Sequence, residues 1–261
     1  MIIVPSALRV FLLTSCLLLQ ACQQTNDDSQ SPVKNKADLS KAATYNVQLG
    51  LGYLKQGDTV RAKKKFLTAM KQEPNSSDVN AALGYFYEET KEIDKAKTHY
   101  LKAISLSSNN GAQLNNYGAF LCRQGEYKEA ESNFLRAVKD EHYIHTAGAY
   151  ENAGLCALAT PDNQKAKHYL TQALNQDPLR KKSLYELVKL EYNLGQESEA
   201  LELLKSHETL VLNDDIFLTL AKQVADKAGQ HQLAEQYQNS LKELALKNNN
   251  SGVNNDYSNH N

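Results

Sequence analysis

The sequence repeats one spaced set of small and large apolar residues at an interval of 34 positions. The first unit contains Leu49, Gly50, Tyr53, Gly57, Ala62, Phe66, Ala69 and Pro74. A shift of 34 gives Leu83, Gly84, Tyr87, Lys91, Ala96, Tyr100, Ala103 and Ser108, and a second shift gives Tyr117, Gly118, Leu121, Gly125, Ala130, Phe134, Ala137 and His142. Three units in one register without a gap exclude chance and indicate an array of short structural repeats.

Three further units follow a two-residue insertion around positions 143–146. The fourth contains Ala153, Gly154, Ala157, Ala166, Leu170, Ala173 and Pro178, the fifth Leu187, Gly195, Ala200 and Leu204, and the sixth Ala221, Ala225, Gly229, Ala234 and Leu241. The sixth unit is degenerate, since Lys222 stands where glycine is expected. The pattern therefore spans most of the chain.

The order of these residues matches the tetratricopeptide repeat (TPR), in which each unit is a pair of helices, A and B. Only 12 glycines and 5 prolines among 261 residues also favour a helical chain. We predict an all-α fold, a right-handed TPR superhelix over 38–247 with helix A lining its concave side. The six predicted repeats lie near 43–76, 77–110, 111–146, 147–180, 181–214 and 215–247.

The N-terminal segment has the features of a lipoprotein signal peptide. Arg9 precedes an apolar run over 10–19 that ends in Leu19-Gln20-Ala21-Cys22, which resembles a lipobox. We predict removal of 1–21, lipidation of Cys22, and a flexible tether over 22–37. Gln23 after the cysteine is typical of lipoproteins of the outer membrane, with the chain facing the periplasm. The alternative is an ordinary signal peptide with an incidental cysteine.

Polar residues dominate the other end of the chain. Asparagine occupies seven of the last 14 positions, and the segment 248–261 is predicted to be disordered.

Two cysteines lie within the predicted repeats. Cys122 and Cys156 are separated by 34 residues, one repeat length, so we expect them at corresponding heights on neighbouring A helices. The two-residue insertion before the fourth unit would shift Cys156 unless a longer connection between the two units absorbs it. In an oxidising periplasm this placement predicts a disulfide. The alternative is two independent buried thiols.

Helix A positions 2, 5, 9 and 12 face the groove in TPR proteins. The predicted partner-binding residues are apolar in the first two units and mainly polar in the third and fourth: Val47, Leu51, Leu54, Tyr85, Asn115, Asn116, Arg123, Glu151 and Asn152. Apolar groove positions rimmed by charge are typical of protein-binding surfaces, and amides can hydrogen-bond an extended peptide. The alternatives are an N-terminal extension that covers the apolar strip and a merely solvated polar face.

Composition argues against several other functions. The formal net charge is −1, with acidic and basic residues interspersed, so nucleic acid is not an expected partner. The seven histidines are scattered, and no phosphate-binding loop or nucleophile elbow is present. His142 and His145, with Glu141 beside them, are candidate metal ligands, but they fall in the inter-repeat insertion without a third strong ligand. We therefore predict no catalytic residues, no metal, no cofactor and no small-molecule substrate.

Three segments carry a closer resemblance. Residues 114–130 (LNNYGAFLCRQGEYKEA), 150–158 (YENAGLCAL) and 46–58 (NVQLGLGYLKQGD) are similar to the PilF/PilW family of type IV pilus biogenesis and stability lipoproteins. The resemblance covers the chain from the lipobox to the sixth repeat. Gln20, His142 and the C-terminal tail depart from the family pattern.

The resemblance implies an outer-membrane pilotin: a lipoprotein that helps the pilus secretin to reach the membrane, to form its multimer or to remain stable, and on which twitching motility depends. A general envelope adaptor for cell-wall or outer-membrane assembly proteins would have the same fold and anchor. An enzyme with its active site outside the repeats is a third possibility, for which almost no sequence remains.

Overall fold

A computed structural model describes the backbone of residues 32–256 and the side-chain surroundings of residues 36–247. Cys22 and the predicted signal peptide lie outside the described residues. The chain divides into two compact units, 1–41 and 42–261. In the first unit the described residues 32–41 are helical, and the second unit contains the repeats.

The described residues form thirteen helices and no strand. In chain order the helices are α1 Pro32–Lys55, α2 Thr59–Gln72, α3 Ser77–Glu89, α4 Ile93–Leu106, α5 Gly111–Arg123, α6 Tyr127–Val138, α7 Thr146–Ala157, α8 Asn163–Gln176, α9 Lys181–Asn193, α10 Glu197–Ser206, α11 Glu208–Leu212, α12 Asp215–Lys227 and α13 His231–Asp256. The odd-numbered helices α1 to α9, and then α12, are the A helices of the six repeats.

Local signals fix the helix boundaries. Ser76 caps α3 by accepting a hydrogen bond from the backbone amide of Val79, and Asp58 caps α2 in the same way through the amide of Arg61. Between the two helices of the third repeat, Gly125 adopts a φ of 82°, a conformation that side chains with a Cβ disfavour. A positive φ at the equivalent position returns helix B against helix A in five of the six hairpins, and the fourth lacks it.

The small residues of the repeat lie where two helices approach closely. A Cβ added at Gly84 would stand 2.9 Å from the ring of Tyr100, and one added at Gly118 would stand 2.8 Å from Phe134. The alanines at the equivalent position of the first five B helices are completely buried: Ala62, Ala96, Ala130, Ala166 and Ala200. The all-α TPR fold predicted from the 34-residue pattern is confirmed.

The inserted residues between the third and fourth repeats pack inward. Tyr143 is 9% exposed and joins a cluster with Leu114, Ala137 and Ala149. A Cβ on Gly111 would lie 2.6 Å from Tyr143, so the glycine leaves room for this ring. The connection between α6 and α7 therefore absorbs the insertion.

The structure differs from the sequence prediction in three places. The helix α1 begins at Pro32, inside the segment predicted as a tether, and proline is well tolerated in a first helical turn. The last helix continues to Asp256, into the segment predicted as disordered; this segment contains no proline to stop it. The short helix α11 was not predicted, and it buries Val211 between the fifth and sixth repeats.

Candidate functional site

The A helices α1, α3, α5 and α7 line a cavity of about 500 Å³, which we call the concave groove. Seven of the predicted binding residues line it: Val47, Leu51, Tyr85, Asn115, Asn116, Arg123 and Asn152. Six further lining residues were not among the predicted ones: Asp78, Ala81, Ala82, Tyr100, Gln113 and Ala119. Asp78, Ala81 and Ala119 occupy helix A positions 2, 5 and 9 and could be predicted from the repeat, whereas Tyr100 comes from a B helix and could not.

One end of the concave groove is apolar and open to solvent. Leu51 is 39% exposed and Tyr85 is 40% exposed, although each belongs to a helix whose other face is packed. Partial burial and the nearby Glu89 carboxylate raise the pKa of the Tyr85 hydroxyl, so this side chain remains a neutral hydrogen-bond donor. A partner that covers this exposed apolar area removes it from water, which contributes favourably to the free energy of binding.

A buried carboxylate fixes the arginine of the groove. Glu88 is 4% exposed, and its two carboxylate oxygens accept hydrogen bonds from Nε and Nη2 of Arg123, the latter at 2.8 Å. The hydroxyl of Tyr100 donates to the same carboxylate at 3.0 Å. Hydrogen bonding to Glu88 raises the pKa of the Arg123 guanidinium. Burial and the Glu88 charge raise the pKa of Tyr100. Glu88 therefore orients Arg123 and, because it is paired, adds no free negative charge to the groove.

Amide side chains line the wall contributed by the third and fourth repeats. The Asn152 side-chain amide donates to Oδ1 of Asn115 at 3.0 Å, and the Gln113 amide donates to Oδ1 of Asp78 at 2.8 Å. These bonds link side chains 37 and 35 residues apart, so each joins adjacent repeats. The pairing leaves the Asn115 amide hydrogens and the Asn152 oxygen to bond a partner, and Asn116 lies beside them in the lining.

Two of the predicted groove residues lie elsewhere. Leu54 is partly buried and packs against the main core cluster, because the last turn of α1 is close to α2. Glu151 accepts a hydrogen bond from Arg180 at 2.9 Å and from the Ser183 hydroxyl at 2.7 Å. Burial raises the pKa of Glu151, but hydrogen bonds from Arg180 and Ser183 outweigh burial, and the net pKa is lowered. The structure gives Glu151 a role in joining the fourth and fifth repeats.

The cysteines of α5 and α7 form a disulfide. The Cα atoms of Cys122 and Cys156 are 5.8 Å apart, and the bond joins the third and fourth repeats. Cys122 is adjacent to Arg123, and Asn152 is one helical turn before Cys156. The bond therefore fixes the spacing of the two helices that carry the amide residues of the concave groove.

The described residues contain no group of three or more potential metal ligands arranged to hold an ion. Among those same residues, no helix is both long and apolar enough to cross a bilayer. The His142 side chain is 91% exposed, and its Nδ1 atom lies 3.6 Å from Oδ1 of Asp140.

Stacked helix pairs and a groove lined by A helices define the chain as a TPR protein, a class built for protein binding. The tetratricopeptide-repeat family model matches residues 77–110, which is the second repeat as predicted.

Comparison with individual proteins is more specific. The chain is 38% identical over 64 residues to type IV pilus assembly protein PilF of Pseudomonas aeruginosa, a stretch covering 24% of this chain and 25% of that protein. The solved structure of P. aeruginosa PilF matches with a TM-score of 0.65 and 30% identity, over 79% of this chain and 93% of that one. The chain therefore belongs to the PilF/PilW family. The structure of PilW, described as a widely conserved type IV pilus biogenesis factor, matches with a TM-score of 0.64 and 26% identity, over 77% and 92%.

Proposed function

We propose that this protein is an outer-membrane lipoprotein of type IV pilus biogenesis, which assists the secretin in localisation, multimerisation or stability by binding it in the concave groove. The observation that carries this proposal is a formed groove with an exposed apolar end and an amide-lined wall, in a chain that matches PilF along most of its length. Its role is binding, with no catalytic step.

The chemistry of the groove suits an extended peptide segment. Leu51 and Tyr85 offer apolar area for side chains of the segment, and the Asn115 and Asn152 amides match the donors and acceptors of a peptide backbone. Arg123 and Glu88 are already paired, so the partner has no buried charge to neutralise there. The inter-repeat hydrogen bonds and the disulfide hold these groups in place before binding, which reduces the ordering entropy lost on association.

We further propose that Cys22 carries the lipid anchor and places the repeats on the periplasmic face of the outer membrane. The support is the sequence Leu19-Gln20-Ala21-Cys22 after a short apolar run. Several acyl chains on one cysteine would give a stable anchor, since each buried methylene adds about 0.8 kcal/mol.

Deletion of the gene tests the proposal. We expect loss of twitching motility and loss of the heat-resistant secretin multimer on a gel, with both restored by the wild-type gene. A groove variant, Asn115→Ala combined with Asn152→Ala, should restore neither fully although it accumulates to the wild-type level. Normal multimer and normal motility in the deletion strain would overturn the proposal, and a general adaptor role would then be the better explanation.

A further inference from the structure

A second cavity lies between the third and fourth repeats, among residues that the concave groove does not use. It has a volume of about 320 Å³ and is enclosed by α6, α7, α8 and the turn between the last two. Tyr127, Ala153, Ala157 and Tyr169 form its apolar walls, and Cys156 borders it. We call this cavity the inter-repeat pocket. Its volume is near the lower limit for ligand sites, and it suits one side chain rather than a large molecule.

Two alanines of the fourth repeat border the inter-repeat pocket, at positions where four of the other five repeats have large residues. The equivalent pairs are Leu49 and Tyr53, Leu83 and Tyr87, Tyr117 and Leu121, and Leu187 and Glu191. The fourth repeat has Ala153 and Ala157 instead. In the second repeat, Tyr87 is 9% exposed and its ring stacks on His99. The equivalent residues of the fourth repeat are Ala157 and Tyr169, and the smaller Ala157 leaves the space beside Tyr169 open.

The sixth repeat shows that alanine alone does not open a pocket. Its equivalent residues, Ala221 and Ala225, are completely buried, because neighbouring side chains of the second core cluster fill the space. Ala157, in contrast, is partly exposed and lines the inter-repeat pocket. An unfilled space in a core is destabilising, and here the Cys122–Cys156 disulfide holds the same two repeats together.

The charged groups at the mouth leave one cation without an ionic partner. Lys165 pairs with Glu131 at 2.8 Å, and the same carboxylate accepts a hydrogen bond from the Tyr169 hydroxyl at 2.6 Å. Asp162 accepts a hydrogen bond from the Lys165 backbone amide and caps α8. Lys128 is exposed at the rim and has no ion pair among the described residues. Two lysines and two carboxylates balance the charge of the lining, and Lys128 is the position at which a carboxylate of a ligand would meet an unpaired cation.

We propose that the inter-repeat pocket binds an aromatic side chain of a protein partner, with an acidic residue of that partner next to Lys128. The partner ring would occupy the space that Tyr87 fills in the second repeat. The rings of Tyr127 and Tyr169 in the walls allow the edge-to-face contacts that aromatic groups prefer. This site shares no lining residue with the concave groove, so it is distinct from the proposed secretin-binding site.

Three capped dipeptides and nuclear magnetic resonance of the isotope-labelled protein test the proposal. Acetyl-Asp-Tyr-amide should bind with a dissociation constant on the order of a millimolar and shift the amide signals of residues 127–131 and 153–162. Acetyl-Asn-Tyr-amide, which lacks only the charge, should bind about two- to fivefold more weakly. Acetyl-Asp-Ala-amide, which lacks the ring, should not shift these signals. N-acetyl-tyrosine distinguishes a small-molecule site: if it binds and the dipeptides do not, the proposal of a protein partner is wrong.

Two variants separate binding from folding. Ala157→Tyr restores the residue of the first two repeats, and it should abolish binding of acetyl-Asp-Tyr-amide while the melting temperature stays the same or rises. Lys128→Ala lies on the surface and should reduce the affinity for acetyl-Asp-Tyr-amide to that for acetyl-Asn-Tyr-amide. Unchanged affinity in both variants, or shifts that map to the concave groove, would overturn the proposal, as would the absence of binding to the wild-type protein at 10 mM, roughly ten times the expected constant.

Discussion

At the scale of single residues, position within the repeat does not settle whether a side chain is free to bind. Leu51 and Leu54 are both helix A positions of the first repeat, yet Leu51 is 39% exposed and Leu54 packs against the core. Glu88 and Glu89 are neighbours in the sequence, but Glu88 is 4% exposed and paired with Arg123. The sequence gives the helical face of a residue, whereas its partners depend on the tilt of helices many residues away.

Because Leu51 is exposed and Leu54 is packed, a substitution at Leu51 tests binding separately from stability. Leu51→Glu should weaken binding to the secretin by about tenfold or more, because a charge in a desolvated apolar contact costs several kcal/mol. The free energy of unfolding should change by less than about 0.5 kcal/mol, as is usual for an exposed position. Binding by surface plasmon resonance and thermal unfolding measure the two effects.

Leu49→Glu is the matched control, since Leu49 is 48% exposed on the same helix and does not line the concave groove. It should leave binding unchanged. Leu54→Glu should instead destabilise the protein by about 1–3 kcal/mol. Equal loss of binding in Leu49→Glu and Leu51→Glu would contradict the assignment of the groove.

Lys91 provides a stability prediction. It stands at the turn position that is glycine in four other repeats, and it adopts a φ of 64°. Because this left-handed conformation is unfavourable for a residue with a Cβ, Lys91→Gly should raise the free energy of unfolding by up to about 1 kcal/mol. Lys55→Gly, in the last turn of α1, should lower it by about the same amount. Chemical denaturation of both variants checks the opposite signs.

His99 should make stability depend on pH. Its ring stacks on Tyr87 with centroids 5.3 Å apart, and Nδ1 lies 3.2 Å from Oδ1 of Asn80. Burial lowers the pKa of His99 below its ordinary value of 6.5. The unfolded chain thus binds the proton more readily, so stability should fall as the pH drops below about 6.5 and level off below the folded pKa.

Thermal melts of the wild type and of His99→Gln across this range measure the effect. Between neutral and mildly acidic pH, the melting temperature of His99→Gln should change less with pH than that of the wild type. His168→Gln, at an exposed position, is the control. Identical slopes in the wild type and His99→Gln would contradict the prediction.

At the scale of helices and repeats, the small residues made the fold predictable. Close contacts such as Gly84 against Tyr100 admit only small residues, and these leave a periodic trace in the sequence. The inter-repeat pocket was not predicted, because Ala153 and Ala157 also satisfy a repeat pattern that tolerates small residues. The equivalent alanines of the sixth repeat are buried, so the difference depends on neighbouring side chains from other helices.

The contact between Cys122 and Cys156 was predicted from their 34-residue interval, although the insertion sets the third and fourth repeats 36 residues apart and Cys156 corresponds to Phe120. Thiol counting on denatured protein, purified from the periplasm without reductant, should find no free thiol from Cys122 or Cys156. Replacing both by alanine should lower the free energy of unfolding by about 3–4 kcal/mol, a figure from loop-closure entropy for this length. Two free thiols in the repeats would contradict the prediction.

At the scale of the whole molecule, the repeats were predictable and the ends of the helical region were less so. Both Pro32–Lys55 and His231–Asp256 extend into segments whose composition is polar, because a helix started by packing can continue through residues that would not form one alone. The full lining of the concave groove is seen only in the structure, because helices of four repeats contribute to it.

The membrane anchor is a property of the complete chain and has its own test. Cys22→Ser should shift the protein from the outer-membrane fraction to the soluble or inner-membrane fraction, since acylation at that position would no longer occur. Cell fractionation and immunoblotting measure the distribution. Serine at Cys16, which the predicted cleavage removes, is the control and should have no effect. An unchanged outer-membrane level in Cys22→Ser would exclude this anchor.

The bond between α5 and α7 also determines how the chain responds to mechanical force. Cys122 and Cys156 enclose a covalent ring, and tension applied at the two ends of the chain cannot stretch the residues inside it. At about 3.4 Å per residue, the 34 residues of this interval withhold about 110 Å of contour length from the oxidised protein. An oxidised molecule pulled to full extension would be shorter than a reduced one by that length, and the groove wall beside the bond would be the last part of the third and fourth repeats to separate.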